Sequence, residues 1–232
     1  MVTTRHIGIV GCSAEGAALC YRTICLEGPA LLGRPYAHPE VSLHTNSFEG
    51  YVAHLEAGDL DGIARCMLDS ARKLARAGAE FLVCPDNTIH AALPLVLPHS
   101  PLPWLHIAEV VAAEAQHRGF RRVGVTGTAW LVSSNVYPEI LAAVGIECVR
   151  PVEQDRQETS RIIMDELVRG LVRPESTAVL QGVVQRLAAS GCDAVVLGCT
   201  ELPLVLGDHN CPVPTLDSTR LLARAALRRA LA

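Results

Sequence analysis

Two residues in this chain sit where general acid–base chemistry could be done. They are Asp86, in CPDNTIH (84–90), and Cys199, in LGCTELPLVL (197–206). Each is the first polar or ionisable residue past a short apolar run, FLVC (81–84) or AVVL (194–197). The spacing matches as well, with eight residues from Gly78 to Asp86 and eight from Gly191 to Cys199. A free carboxyl has a pKa of about 3.9 and a free thiol about 8.5, so at neutral pH Asp86 starts as a base and Cys199 as an acid. Such groups on opposite sides of one carbon can remove a proton from one face and return one to the other. Racemisation and epimerisation require that arrangement. Abstraction by Asp86 with protonation from Cys199 is the easier direction, so the rates for two enantiomers are expected to differ.

The elements that must position this pair are legible in the hydrophobic pattern. IGIV (7–10), FLVC, VGVT (123–126) and AVVL suit strands buried on both faces of a parallel sheet. Between them run amphipathic stretches, LDGIARCMLDSARKLARAG (60–78) and STAVLQGVVQRLAASG (176–191). In the second, Val179, Leu180, Val183, Val184 and Leu187 recur at helical spacing, and each stretch closes on a glycine, Gly78 or Gly191. Alternation of this kind predicts an α/β fold. The pattern also repeats. RHIGIVG (5–11) resembles RRVGVTG (121–127), and GAEFLVCPDNT (78–88) resembles GCDAVVLGCTE (191–201). Gly11 to Asp86 is 75 residues and Gly127 to Cys199 is 72, while Tyr21 and Tyr137 each lie ten past their glycine. Two related α/β halves are expected, with a break near the proline-rich segment 98–103. Equivalent loops would then face each other across a cleft, beyond the carboxyl ends of the strands where α/β sheets take ligands. A helix N-terminus after each of the two strands would add positive dipole. Asn87-Thr88 and Thr200-Glu201 would supply donors there.

Composition removes several other functions. Of 232 residues 50% are hydrophobic and 19% charged, which excludes intrinsic disorder. A net charge of −4 gives no electrostatic footprint for nucleic acid or an anionic membrane, and 4% aromatic residues leave little for base stacking. No uninterrupted apolar stretch is long enough for a membrane span. The opening MVTTRHIGIVG has no secretory pattern, so the expected location is cytoplasmic and the nine cysteines are expected to be reduced. They form no C-x-x-C pair, the histidines show no metal-binding spacing, and no metal is expected. Neither G-x-G-x-x-G nor a P-loop occurs, which disfavours nucleotide cofactors.

Further candidates each carry a plainer alternative. Ser13 could bind a substrate carboxylate with its hydroxyl and the loop amides, or simply cap a helix. Asn87 and Thr88 are good donors, yet Asn-Thr after a strand is also ordinary turn chemistry. His90 is either a hydrogen-bonded core histidine or a group that tunes Asp86. The repeat places Thr128 opposite residue 12, which makes it a candidate for a carboxylate-binding loop, and Thr200 follows Cys199 directly. Asn46, in HTNSFEG, lies where a third loop could reach the cleft.

LGCTELPLVL resembles the second catalytic motif of the aspartate/glutamate racemase superfamily, the pyridoxal-independent two-cysteine racemases. CPDNTIH is similar to its first motif, P-C-N-T-x-H, with Asp86 in the place of the cysteine. SAEGAALCYR (13–22) is similar to S-P-E-A-T-x-x-Y-Y-R, and GTAWLVSSNVY (127–137) follows G-T-x-x-T-M-x-x-x-x-Y with Leu131-Val132 for Thr-Met. The resemblance covers nearly the whole chain. It implies two pseudo-symmetric flavodoxin-like domains with parallel sheets, an active site in the cleft between them, and no cofactor. It also implies a C-terminal helix that returns to the first domain, giving domains 1–103 plus 217–232 and 104–216. The implied substrate is a small amino acid or dicarboxylate, aspartate-like by the resemblance alone, and the implied assembly is a homodimer. Alternatives are an arylmalonate-type decarboxylase with Cys199 as proton donor, a maleate isomerase, and a non-catalytic small-carboxylate-binding relative.

Overall fold

The computed structural model describes residues 4–231, which form two compact units. One runs through Ile107 and resumes at Thr219; the other is Ala108–Ser218. The first contains β1 (Ile7–Gly11), α1 (Ala14–Leu32), β2 (Val41–Thr45), α2 (Phe48–Glu56), α3 (Leu60–Arg76), β3 (Phe81–Val83), α4 (Leu93–Val96) and β4 (Trp104–Leu105). Its sheet is parallel, in the order β2-β1-β3-β4. Helix α5 (Ile107–His117) follows, and then β5 (Arg122–Thr126), α6 (Ala129–Ser133), α7 (Pro138–Ala143), β6 (Glu147–Val149), α8 (Glu153–Asp165), α9 (Pro174–Ala189), β7 (Ala194–Leu197) and β8 (Thr215–Asp217). The second sheet is also parallel, ordered β6-β5-β7-β8. Both orders are the flavodoxin-like 2-1-3-4. Helix α10 (Ser218–Leu231) closes the chain.

Burial explains why these segments take these forms. All five residues of β1 and all four of β7 are buried, as central strands covered on both faces must be. Helix α3 presents Ile63, Met67, Ala71 and Leu74 to the core, and its start is capped by Asp59, whose carboxylate accepts from Gly62 N–H at 2.8 Å. It stops at Arg76, and Gly78 then takes φ +94°, a left-handed conformation that glycine adopts without a side-chain penalty. In α9, Leu180, Val183, Val184 and Leu187 are buried, whereas Val179 is exposed, so the apolar stripe is one residue narrower than its spacing suggests.

The sequence repeat has a packing counterpart. A Cβ on Gly8 of β1 would lie 2.6 Å from Leu82 and 3.4 Å from Leu74 of α3. A Cβ on Gly124 of β5 would lie 2.9 Å from Leu187 of α9. In each unit the central strand uses glycine to let the crossover helix settle onto the sheet. Helix α10 packs on the first unit through Leu222, Ala223, Ala226, Leu227 and Ala230, all buried. Arg5 N–H bonds to the Ala230 carbonyl at 2.8 Å, and Arg224 forks onto Glu27 at 2.7 and 2.9 Å.

One expectation is overturned here. No long helix begins directly after β3 or β7. The chain instead makes 3-10 turns, Thr88–Ala92 and Leu202–Leu204. Pro94 and Pro98 confine the first region to the four-residue α4 and another 3-10 turn, and Pro203 sits inside the second. Proline lacks the N–H that a continuing helix needs.

Candidate functional site

In the first unit the site is built where β1 and β3 end. Ile9 pairs with Val83, so the loops that follow leave the sheet side by side. Asp86, 8% exposed, turns its carboxylate onto the β1–α1 loop. Cys12 N–H donates to Oδ2 at 3.1 Å and Ser13 N–H donates to Oδ1 at 3.0 Å. Ser13 is also the cap of α1, its hydroxyl accepting from Gly16 N–H at 3.2 Å. The carboxylate therefore sits at the N-terminal end of a 19-residue helix, where backbone donors and the helix dipole compensate negative charge. The helix dipole foreseen for this site is present, but α1 supplies it from across the sheet.

The surroundings of Asp86 are thiols and imidazoles that carry no charge near neutral pH. Burial, with the nearby Asp86 carboxylate, pushes the Cys20 thiol up to about 12. The same two causes hold Cys84 well above the ordinary thiol range. Cys84, at the end of β3, points its sulfur at the Asp86 carbonyl at 3.8 Å and is a packing residue. His90 Nδ1 lies 3.0 Å from that carbonyl, and the His90 and His106 rings are 4.8 Å apart. Burial, then the neighbouring His106, lowers His90 to about 3. Tyr51 is wholly buried nearby, and its hydroxyl has no hydrogen-bond partner among the described residues.

In the second unit the equivalent ends are those of β5 and β7, with Thr126 paired to Leu197. Two glycines let the chains draw together there. A Cβ on Gly198 would lie 2.5 Å from the Thr126 carbonyl, and one on Gly127, at φ +155°, would lie 3.2 Å from the Gly198 carbonyl. Cys199 emerges directly from this contact, partly exposed. Its thiol donates to Glu201 Oε2 at 2.9 Å, and the Thr200 hydroxyl donates to the same oxygen at 2.7 Å. Glu201 is 2% exposed. Of the Thr200-Glu201 segment, the Thr200 hydroxyl is a donor as expected, while the Glu201 side chain is the acceptor on which two side chains converge. Thr128 caps α6 by accepting from Leu131 N–H at 3.3 Å, the counterpart of Ser13 on α1.

The candidate residues thus fall into two groups. Ser13, Asn87, Thr88 and Asp86 gather at one set of strand ends, and Thr128, Thr200 and Cys199 at the other. Asn46 follows β2 on the same edge as the first group, but its amide donates to the Cys66 carbonyl at 3.0 Å and the Ser70 hydroxyl at 3.3 Å, both on α3. Sequence reasoning passed over the Cys12 N–H and the acceptor role of Glu201. The signal for the first was a helix start beside the Asp86 loop; for the second it was a carboxylate two residues from a thiol. Among the described residues, no three His, Cys, Asp or Glu side chains are grouped to hold a metal ion, and no helix is long and apolar enough to cross a membrane.

Known proteins share this fold. Residues 9–226 match the family described as Asp/Glu/Hydantoin racemase. The chain is 27% identical over 177 residues to a broad specificity amino-acid racemase of Bacillus subtilis, covering 75% of each chain. It is 33% identical over 166 residues to a glutamate racemase of Ectopseudomonas mendocina, covering 70% of this chain and 60% of that one. A solved structure of an aspartate racemase homologue from Pyrococcus horikoshii superimposes with a TM-score of 0.81 at 28% identity, over 98% of this chain and all of the other.

Proposed function

The chain belongs to the Asp/Glu/Hydantoin racemase family, and we propose that it is a cofactor-independent amino-acid racemase working by two-base proton transfer. The observation that carries this reading is the matched placement of Asp86 and Cys199. Each follows the equivalent strand of its unit, one as a carboxylate held by N–H donors and the other as a thiol donating to a carboxylate. The substrate class is a small amino acid with an aspartate- or glutamate-like side chain, the class named for the relatives.

In this scheme the ionised Asp86 removes the α-proton from one face of the substrate. The electron pair left on Cα delocalises into the substrate carboxylate, and the Cys199 S–H protonates Cα from the opposite face. An ionised carboxylate accepts at about four lone-pair sites, which suits it to take a proton. Glu201 holds the thiol hydrogen in a defined direction until Cα takes it. The return reaction exchanges the roles of Asp86 and Cys199. Residence in the cytoplasm and assembly as a homodimer belong to the same reading.

The test is hydrogen exchange in D₂O with single enantiomers of aspartate, glutamate and neutral amino acids. Wild-type enzyme should invert and label one of them. Asp86→Asn should lose inversion by about 10²- to 10⁴-fold, the usual worth of a positioned acid or base. It should still exchange, without inversion, the enantiomer whose α-hydrogen faces Cys199. Cys199→Ala should show the mirror result. Loss of exchange for both enantiomers in both variants would overturn the two-base assignment. Release of CO₂ from substituted malonates, with no inversion of any amino acid, would replace racemisation by decarboxylation.

A further inference from the structure

His90 is 1% exposed, and both of its ring nitrogens are engaged. Nε2 lies 3.4 Å from the N–H of Ile107, the first residue of α5, and Nδ1 lies 3.0 Å from the carbonyl oxygen of Asp86. A backbone N–H only donates and a carbonyl only accepts. The partners therefore dictate one tautomer, with Nε2 bare and the hydrogen on Nδ1. Cys84 Sγ, 3.8 Å from the same carbonyl, is a second donor to it. His106 is a titratable group set against this ring, 4.8 Å away, and the Cys84 thiol shares the Asp86 carbonyl with the ring. His106 is itself lowered to about 4 by burial.

Asp86 is consequently held at both ends. Its carboxylate rests on the N–H groups of residues 12 and 13, while its carbonyl receives His90 and Cys84. We propose that His90 is a positioning residue for Asp86, fixing the Asp86 peptide through Nδ1–H and tying it through Nε2 to the start of α5. Its effect is that the carboxylate meets the substrate α-carbon in one orientation. This rests on the reading of Asp86 as the proton acceptor. Nothing in the motif around His90 distinguishes such a brace from a core histidine, and only the pair of partners does.

Two variants separate the ring's two contacts. His90→Asn keeps an N–H donor near the Nδ1 position, whereas His90→Gln reaches the Nε2 position and leaves the Asp86 carbonyl without its ring donor. Because a misplacement of about 1 Å can cost about 10²-fold, His90→Gln should lower kcat for inversion by about that factor, and His90→Asn by less than about tenfold. Exchange without inversion at the face served by Cys199 should survive in both. Nitrogen-15 NMR of the wild-type protein should show the Nδ1–H tautomer unchanged from about pH 5 to about pH 8. An Nε2–H tautomer overturns the proposal, as does a titration inside that range. Equal kcat for the two variants overturns it as well, and so does equal loss of exchange at both faces. If Asp86→Asn keeps exchange of both enantiomers, the two-base reading fails and takes the catalytic purpose of the brace with it. If Asp86→Asn is impaired as expected while His90→Gln matches His90→Asn, only the brace fails.

Discussion

In the proposed two-base scheme, Asp86 and Cys199 are prepared differently for what would otherwise be symmetric work. Hydrogen bonds to a charged group are each worth about 1.5–3 kcal/mol, so two N–H donors favour the Asp86 anion and weaken when it is protonated. Cys199 donates to Glu201, an arrangement that keeps the hydrogen on sulfur and opposes a thiolate beside a carboxylate. In that proposed scheme, the resting protonation states therefore suit proton removal by Asp86 and delivery by Cys199. A racemase has an equilibrium constant of one, so kcat/KM must be equal in the two directions. The asymmetry should therefore appear as kcat and KM that differ together, by the same factor, between enantiomers. Progress curves from each pure enantiomer measure this, and identical kcat with identical KM would refute it. Glu201→Ala removes the acceptor shared by Cys199 and Thr200. Its expected cost is about tenfold or more in kcat, read by the same curves, with the fold checked by circular dichroism.

At the scale of elements, the site depends on strands that end close together. Gly198 is the clearest case, because a methyl there would meet the Thr126 carbonyl at 2.5 Å, and a carbonyl within a paired strand has nowhere to retreat. Gly198→Ala should destabilise the protein by about 1–3 kcal/mol, as overpacking does. It should also move Cys199 and lower kcat, and urea unfolding together with initial rates would report both effects. A variant with wild-type stability and rate would show that β5 and β7 can part at no cost. The 3-10 turns after β3 and β7 have a related consequence. They place no helix N-terminus against Cys199 from its own segment, so its immediate electrostatic partner is a side chain, Glu201. Asp86 instead borrows the start of α1 from the neighbouring crossover.

For the molecule as a whole, the buried histidines set a dependence of stability on pH. His90 is lowered to about 3 and His106 to about 4 in the folded state, both from an ordinary value near 6.5, chiefly by burial. Below about pH 6.5 the unfolded chain binds protons that the folded chain refuses, so stability falls as pH falls. The loss runs from about 6.5 down to about 4 for His106 and on to about 3 for His90, at up to about 1.4 kcal/mol per pH unit for each. Urea midpoints measured between pH 7 and pH 4.5 should decline accordingly. A His106→Gln variant should show a shallower decline, and an unchanged slope would remove His106 from the account. Glu27, held by Arg224, and Glu166, held first by the Ser176 hydroxyl and then by Arg161, are lowered from their ordinary range and act in the same direction at lower pH.

Two parallel α/β units were readable from residue order alone, because a strand buried on both faces demands an unbroken apolar run and its crossover helix demands a stripe. IGIVG, AVVL and the face of α3 meet those demands locally. The repeat also singled out Asp86 and Cys199, since equivalent strands must end at equivalent places. Short edge strands such as Trp104–Leu105 and Glu147–Val149 left no comparable trace, being too brief to show a period. The partners of Asp86 and Cys199 were not readable either. That residues 12 and 13 hold Asp86, that Glu201 accepts from Cys199, and that His90 bridges Asp86 to Ile107 are facts about direction and distance. Residue order determines which groups a loop carries. Only the packed backbone decides which way each donor points, and therefore which oxygen or sulfur it meets.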